Sequence, residues 1–400
     1  MGGLTLTAAP PRRAPVRSRV ARALFERALA RLRDLEVIAP DGSVLRSDPG
    51  APRMEIVSER FFDRLGVDGK IGFGEAYMAG DWRTGDLPGV LLAFARGLTS
   101  LIPAPFQRLR ALYEPSRPAR EANTEAGARR NIQRHYDLSN DLFALFLDET
   151  MTYSCAVFEP GDTLADAQRR KYRAIAEMAA LERDHHVLEI GTGWGGMAIH
   201  AASEIGCRVT TITISEEQHA FARHRVAEAG LAGRVEVLLR DYREMEGRFD
   251  RIVSIEMFEA LGEEYWPVFF AACDRLLAPG GRMALQTITM PHDRYRASRR
   301  SYTWMHKYIF PGGLIPSEQA IDGALRKASR LRAVERRQIG QHYGPTLQAW
   351  RERFLAHWDD VRALGFDDTF RRTWEFYLAY CEAGFRAGAL GDVQLALERP

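Results

Sequence analysis

Cysteine is scarce in this chain of 400 residues, which contains only four. Cys155, Cys207, Cys273 and Cys381 lie far apart, and no two of them form a CxxC pair. This spacing argues against a disulfide framework and against a zinc cluster, so we expect no bound metal. It also favours a reducing compartment, and we expect the protein to work in the cytoplasm.

Long hydrophobic runs are missing as well. No apolar segment approaches the ~18–20 residues that a membrane-spanning helix needs, and the Arg-rich N-terminus lacks the apolar core of a secretory signal. The net charge is only +2, but residues 1–33 hold eight Arg against the single acid Glu26. Residues 326–337 hold six basic residues and one Glu. Such clusters suit anionic lipid or nucleic acid, or form an ordinary solvated surface, so membrane contact would be peripheral.

The chain divides into regions of different composition, and its length favours two domains. Residues 1–16 are rich in Pro and Arg and predict a flexible tail. Residues 17–113 predict a smaller domain whose first helix is basic and amphipathic, which suits membrane docking, oligomerisation or packing on its own domain. The apolar stripe of this helix contains Val20, Leu24, Ala28, Leu32 and Leu35 and is flanked by Phe25 and Leu29. Residues 114–130 are polar, with Pro and Gly, and predict a linker to a larger domain over residues 131–400.

In the larger domain, apolar strand-like runs alternate with helical segments. The runs are HVLEI, RVTTITI, RVEVLL, RIVSI and RMALQTIT, which begin at positions 186, 208, 234, 251 and 282. This alternation predicts an α/β fold with a doubly wound, parallel sheet that binds its ligand at the carboxyl ends of the strands.

A glycine-rich loop, GTGWGG, follows the first of these strands. Gly191, Gly193 and Gly195 allow a tight turn and a close approach of the backbone to a ligand, although nicotinamide and flavin enzymes use similar loops. Their spacing departs from the GxGxxG pattern of dinucleotide binding. Glu189 lies where a carboxylate can meet the cationic methionine moiety of S-adenosylmethionine, and Asp241 lies where it can meet the adenine edge. Together these features favour a methyltransferase sheet.

The segment RHYDLSNDLFALFLDETMTYSCAVF, at 134–158, resembles the signature of the cyclopropane fatty acid synthase family of S-adenosylmethionine-dependent lipid methyltransferases. The family also agrees, in the same order, with LEIGTGWGG, TITISEEQ, DYREM, FDRIVSIEMFEALG, KYIFPGGLIPS and YLAYCEAGFRAG. The resemblance is strong over residues 128–400 and looser before them. It implies a class I methyltransferase with a Rossmann-like sheet. Such an enzyme would methylate the double bond of an unsaturated phospholipid acyl chain at the inner face of the membrane.

The resemblance also implies a set of catalytic residues. In this family the base is generally a bound bicarbonate, held by a Cys turn, a Glu, a His, an Ile backbone and a Tyr. The matching positions here are Cys155, Glu259, Gln286, Ile288 and Tyr343. Gln286 stands in place of the histidine, and glutamine can donate a hydrogen bond to an oxyanion but cannot relay a proton. Bicarbonate is therefore an open candidate for the bound base.

The product is indicated by residues 284–317, which resemble the methyltransferases of 10-methyl, tuberculostearic-type branched fatty acids more than true cyclopropane synthases. This favours a methylene product, which a separate reductase usually converts to a methyl branch. The alternatives are a cyclopropane-fatty-acyl-phospholipid synthase and a non-catalytic lipid-binding scaffold. The interleaved Arg and aromatic residues would also suit nucleic acid, but no recognised nucleic-acid motif accompanies them and we expect none. A homo-oligomer stays open.

The motifs give two further groups of candidate residues. The expected cofactor-binding residues are Tyr153, Ser154, Glu189, Gly191, Gly193, Trp194, Gly195, Thr213, Ser215, Gln218, Asp241 and Tyr242. The expected substrate-binding residues are His135, Tyr136, Tyr302, Trp304 and Tyr308. The rings of the last three could line an acyl tunnel or stabilise a developing carbocation, or they could simply form a core.

Overall fold

A computed structural model describes residues 15–101, 124, 127 and 139–400 of the chain. The predicted linker, apart from residues 124 and 127, and most of the predicted N-terminal tail lie outside the described residues. The described helices and strands are as follows in chain order. The strands are β1 Glu36–Ile38, β2 Val44–Arg46, β3 Arg53–Ile56, β4 Trp82–Thr84, β5 His186–Ile190, β6 Arg208–Thr213, β7 Val235–Leu239, β8 Phe249–Ile255, β9 Leu277–Thr289, β10 Arg332–Gln338 and β11 Gly391–Glu398.

The helices differ widely in length. They are α1 Pro15–Leu29, α2 Arg60–Asp68, α3 Lys70–Met78, α4 Leu87–Leu101, α5 Asn140–Phe146, α6 Leu164–Met178, α7 Gly196–His200, α8 Glu216–Glu228, α9 Trp266–Leu276, α10 His292–Ser298, α11 Trp304–Tyr308, α12 Glu318–Ala328, α13 Tyr343–Ala356, α14 Trp358–Ala363 and α15 Asp368–Arg386. Short 3-10 turns and one π-helical turn supplement them. The 3-10 turns are Tyr242–Glu244, Phe258–Ala260, Glu263–Tyr265 and Gly340–His342, and the π-helical turn is Ala201–Ile205.

The chain forms two compact units, each of which is discontinuous in sequence. The first unit joins the N-terminal part to Ser301–Ile309 and Trp350–Ala389, and the second contains Arg117–Arg300, Phe310–Ala349 and Leu390–Pro400. The predicted boundaries followed the order of the sequence, and they therefore differ from this division at two C-terminal segments. The docking or oligomerisation role assigned to residues 17–113 stays a prediction.

The first unit contains a four-stranded sheet in the order β2-β1-β3-β4. Its N-terminal helix, α1, buries only part of the apolar stripe that the sequence predicts. Phe25 and Leu29 are buried, and the Phe25 ring packs 5.1 Å from that of Phe61. Val20 and Leu24, predicted in the same stripe, are instead 54% and 62% exposed. No helix in the described part of the chain is long and apolar enough to cross a membrane.

The second unit is built on a seven-stranded sheet in the order β10-β11-β9-β8-β5-β6-β7. The strands from β9 to β7 are parallel, and β11 runs antiparallel to both of its neighbours. The predicted α/β doubly wound sheet is confirmed. After β5 the chain builds β6 and β7 on one side and then returns to build β8 and β9 on the other. The switch point between β5 and β8 is where such sheets bind ligands, beyond the carboxyl ends of their strands.

Both faces of this sheet are covered by hydrophobic clusters. Leu188 and Ile190 of β5 belong to one cluster, which also contains Phe258 and Phe269, whereas Val187 belongs to the other. Because side chains alternate along a strand, these neighbours point to opposite faces. This two-sided burial explains why the strands read as continuous apolar runs rather than as an alternating pattern.

Candidate active site

The glycine-rich loop after β5 has the backbone conformations that its glycines make possible. The φ angles of Gly191, Gly193 and Gly195 are +100°, +51° and +87°, a region that strains other residues. A Cβ atom added at Gly191 would lie 3.2 Å from Cβ of Met257. At Gly193, no described atom lies within 4 Å of that position. The loop therefore presents open backbone at Gly193, which fits a ligand that approaches the peptide closely.

Glu189 lies one residue before the end of β5, where it is buried. The Thr211 hydroxyl donates a 2.6 Å hydrogen bond to Oε2 of Glu189, and the hydroxyls of Thr211 and Thr192 are 2.7 Å apart. Burial raises the pKa of Glu189 to about 8. A cation bound beside it would favour the ionised form and lower that pKa. The residues thus fit the cationic end of S-adenosylmethionine, although the contact itself stays a prediction.

Three further predicted cofactor residues form one network at the carboxyl end of β6. The Thr213 hydroxyl donates to the side-chain oxygen of Gln218 at 2.9 Å and accepts from the Ser215 amide at 3.2 Å. The Ser215 hydroxyl caps α8 by accepting from the Gln218 amide at 3.2 Å. The sequence TITISEEQ thus fixes a set of polar groups at the strand end where the ligand is expected.

Asp241 lies two residues after the end of β7, and its carboxylate pairs with Arg243. The guanidinium of Arg243 pairs with it at 2.6 Å, and the Arg243 amide donates to it at 3.0 Å. The contact of this carboxylate with the adenine edge stays a prediction. Tyr242 beside it is buried and packs 5.5 Å from the ring of Phe269.

The predicted residues Trp194 and Tyr153 meet through helix α5. The Trp194 indole donates to Oδ1 of Asn140 at 2.7 Å and packs 4.7 Å from the Phe143 ring. Tyr153 packs edge-on against the same phenylalanine at 5.3 Å. Helix α5, from the family signature, is thereby joined to the glycine-rich loop.

Ser154 is fixed by two buried polar residues of α6. The Gln168 amide donates to the Ser154 carbonyl at 2.9 Å, and the Lys171 ammonium donates to its hydroxyl at 2.8 Å. Burial lowers the pKa of Lys171 to about 8. Glu256 is among the acids whose charge opposes this decrease. The segment around Ser154 is therefore held in a fixed position next to a buried cation.

Three of the five predicted catalytic residues converge on Glu256, a carboxylate that the sequence analysis did not select. The Cys155 amide and the Gln286 side-chain amide each donate to Oε1 of Glu256 at 2.8 Å. The Tyr343 hydroxyl donates to Oε2 at 2.5 Å. The sequence does contain a signal that could have identified Glu256. It is an acid placed directly after the strand RIVSI, at the end of the sheet where doubly wound folds bind their ligands.

The other two predicted catalytic residues pair with each other. Glu259 lies in the 3-10 turn after β8, and its Oε1 accepts a hydrogen bond from the Ile288 amide. Burial, and then the nearby charge of Glu256, raise the pKa of Glu259 to about 8. Asp392 lies opposite Ile288 in the β9–β11 register. Its pKa is also raised, first by burial and then by Glu256.

Cys155 contributes through its backbone rather than its thiol. Its side chain is fully buried, and the sulfur donates to the Ala156 carbonyl at 3.3 Å. Burial raises the pKa of this thiol well above its ordinary value. Because the thiolate is the nucleophilic form of cysteine, this environment opposes a covalent role. The Cys155 amide, in contrast, directly contacts Glu256.

Five residues were predicted to contact substrate. His135 and Tyr136 lie outside the described residues. Tyr302, Trp304 and Tyr308 belong to the first compact unit. The Trp304 indole lies 3.4 Å from Sδ of Met78 and packs against Phe376, and the Tyr308 hydroxyl donates to Glu75 at 2.6 Å. These contacts fit the core interpretation, while the tunnel role stays a prediction.

Comparison with known proteins identifies similar sequences and structures. The sequence model of the family described as mycolic acid cyclopropane synthetase matches residues 123–395. The chain is 48% identical over 375 residues to the tuberculostearic acid methyltransferase UfaA1 of Mycobacterium tuberculosis, covering 91% of this chain and 88% of that protein. It is 38% identical over 338 residues to the cyclopropane-fatty-acyl-phospholipid synthase of Escherichia coli K12, covering 84% of each.

A solved structure agrees with these relatives. The crystal structure of the mycolic acid cyclopropane synthase CmaA1 complexed with SAH and CTAB matches with a TM-score of 0.63 and 32% identity. The match covers 67% of this chain and 97% of that one.

Proposed function

This chain belongs to the mycolic acid cyclopropane synthetase family, and from that premise we propose that it methylates the double bond of an unsaturated acyl chain in a phospholipid. It is an S-adenosylmethionine-dependent methyltransferase of the cyclopropane synthase type that acts on fatty acids. The product that we propose is a 10-methylene-type chain, which a separate reductase then converts to a methyl branch. The observation that carries this choice is the 48% identity to a tuberculostearic acid methyltransferase, against 38% to a cyclopropane-forming synthase.

The proposed reaction is demanding because an alkene is a weak nucleophile. S-adenosylmethionine supplies an electrophilic methyl group. The π electron pair of the alkene forms the new carbon–carbon bond, the carbon–sulfur pair leaves with sulfur, and the adjacent carbon becomes positive. A hydride shift to that carbon, followed by proton loss from the new methyl, gives the methylene, whereas direct proton loss closes a cyclopropane. The protein must align the reactants, exclude water and hold a base.

The second unit meets these needs at the carboxyl ends of its parallel strands. The open backbone at Gly193 and the buried Glu189 fit the methyl donor, as described above. Glu256, directly after β8, provides a carboxylate that can accept the departing proton. The order β9-β8-β5-β6 brings these groups to the same edge of the sheet as the glycine-rich loop.

We also propose that helix α1 brings the enzyme to the phospholipid surface on the cytoplasmic side. Val16, Val20 and Leu24 recur every four residues, so they share one helical face, and all three are more than half exposed. Arg19 and Arg27 of the same helix are exposed as well. Exposed aliphatic side chains beside Arg suit the boundary between acyl chains and phosphate groups.

The test of the proposed function is the fatty-acid composition of a heterologous host that expresses the chain and is fed oleate. Mass spectrometry should show acyl chains that have gained one CH2 group and carry an exocyclic methylene, with an empty-vector culture as control. A cyclopropane would show that the product assignment is wrong. Purified protein that moves labelled methyl to a soluble acceptor, but not to unsaturated phospholipid, would refute the proposed substrate.

A further inference from the structure

Glu256 has an unusual backbone conformation for a glutamate. It is the first residue after β8, its φ is +50°, and its amide donates to the Gln286 carbonyl at 2.8 Å. The left-handed region strains a residue with a side chain, because its Cβ comes too close to the following carbonyl oxygen. Such strain persists where the surroundings impose it, and it clusters at functional sites. The backbone therefore holds this carboxylate in one place at the expense of local stability.

The contacts of Glu256 are those that the family resemblance assigns to bicarbonate. A carboxylate and a bicarbonate ion both present two oxygens on a planar carbon, and three of the expected donors bind the two oxygens of Glu256. These donors are the Cys155 amide, the Gln286 side chain and the Tyr343 hydroxyl. Gln394 also donates to the oxygen of Gln286 at 3.0 Å, which turns the NH2 group of Gln286 towards Glu256. Bicarbonate does not fit here because the chain supplies its own anion.

The electrostatics of the cluster also oppose a second anion. Asp392 is fully buried and Glu259 is half-buried, and burial and then the charge of Glu256 raise the pKa of both. Bicarbonate would add another negative charge beside these groups in a site removed from water, where like charges repel strongly. The positive charge of the buried Lys171 partly opposes the increase that burial causes in the pKa of Asp392. The charge of Glu256 partly opposes the decrease that burial causes in the pKa of Lys171.

We propose that the Glu256 carboxylate is the general base of this enzyme and replaces a bound bicarbonate. This inference rests on the proposed alkene methylation. Glu256 takes one proton from the newly added methyl group, and the electron pair of that C–H bond becomes the second bond of the exocyclic methylene. The positive charge on the acyl chain is thereby cancelled, and the protonated Glu256 later returns the proton to solvent. If the ring closes directly, the same pair forms the ring bond.

The inference is tested with two substitutions and a matched control. Glu256→Gln keeps the shape of the side chain and an oxygen for the two donors at Oε1, but its amide cannot accept the proton. Glu256→Gly suits the positive φ and removes the carboxylate that the three donors bind, so that an added anion can take its place. Glu264→Gln changes an exposed glutamate eight residues further along the same segment. Each protein is assayed for methyl transfer to unsaturated phospholipid in CO2-free buffer, with and without sodium bicarbonate.

We expect the wild type and Glu264→Gln to be equally active with and without bicarbonate. Loss of the base should slow Glu256→Gln by about 10²- to 10⁴-fold, with no recovery when bicarbonate is added. Glu256→Gly should slow by a similar factor and recover in part with bicarbonate. A wild type that loses activity when CO2 is removed, or a Glu256→Gln variant close to wild-type rate, would overturn the inference.

A binding measurement separates this inference from the proposed function. Nuclear magnetic resonance with ¹³C-labelled bicarbonate should show saturable binding to Glu256→Gly but not to the wild type, both in the presence of S-adenosylhomocysteine. This readout does not depend on methyl transfer. Saturable binding to the wild type would overturn the role of Glu256, whereas a wild type without lipid methylation would overturn the proposed substrate.

Discussion

Glu189→Gln should stabilise the protein by an amount that grows with pH. Burial raises the pKa of Glu189 from 4.5 to about 8 in the folded protein. Below pH 4.5, the carboxyl is protonated in both the folded and the unfolded chain, so its ionisation does not change the free energy of unfolding. As the pH rises from 4.5 to about 8, the unfolded chain releases the proton first and folding becomes less favourable. Glutamine cannot ionise, so the Glu189→Gln variant does not lose this stability as the pH rises.

The size of the effect follows from the pKa difference. At about 1.4 kcal/mol for each unit, the rise corresponds to about 5 kcal/mol in the free energy of unfolding above pH 8. The hydrogen bond from Thr211 survives the substitution, because the glutamine side-chain oxygen can accept it. The stabilisation of Glu189→Gln should therefore be near zero at acidic pH and reach several kcal/mol at alkaline pH.

The assay is urea unfolding of the ligand-free protein at a series of pH values from about 5 to about 9. Glu246→Gln, at an exposed glutamate in the same unit, is the control and should differ little from wild type at every pH. A difference between Glu189→Gln and wild type that is constant with pH would refute the argument. So would a difference that favours the wild type increasingly as the pH rises.

Two further predictions concern the base and the membrane surface. Tyr343→Phe removes the hydrogen bond to Oε2 of Glu256 and should lower kcat by about tenfold without changing the KM for S-adenosylmethionine. Steady-state kinetics measures both constants, and an unchanged kcat would contradict this prediction. Leu24→Glu should weaken sedimentation with anionic phospholipid vesicles, whereas Val44→Glu, at an exposed valine outside α1 in the first unit, should not. Equal loss in both would refute docking through α1.

The sequence predicted the sheet well because the relevant information is local. The inner parallel strands are buried on both faces and read as apolar runs, and the glycines that turn sharply after β5 stand close together in the chain. The two compact units could not be predicted in this way. The Tyr77 hydroxyl, for example, donates to Glu375 at 3.2 Å across 298 positions, and no local pattern reports such a contact.

The candidate site was predicted in part for a similar reason. The family resemblance selected the residues that surround the base, but it did not select Glu256. The three donors to this carboxylate lie 101, 30 and 87 positions away, and its positive φ is a property of the folded backbone. Helix α1 shows the same limit, since periodicity placed Val20 and Leu24 on the apolar stripe but could not tell that they face solvent.

The position of the base decides what it can do to the acyl chain. The three donors stabilise a negative charge on Glu256, and its charge in turn favours the protonated forms of Glu259 and Asp392. The cluster therefore separates one proton acceptor from two groups that keep their protons. A carboxylate fixed to strained backbone at the end of β8 cannot follow the positive charge along the acyl chain. Whether a methylene or a cyclopropane forms then depends on the substrate. The product is decided by which acyl carbon carries the positive charge when a hydrogen of the new methyl group faces Glu256.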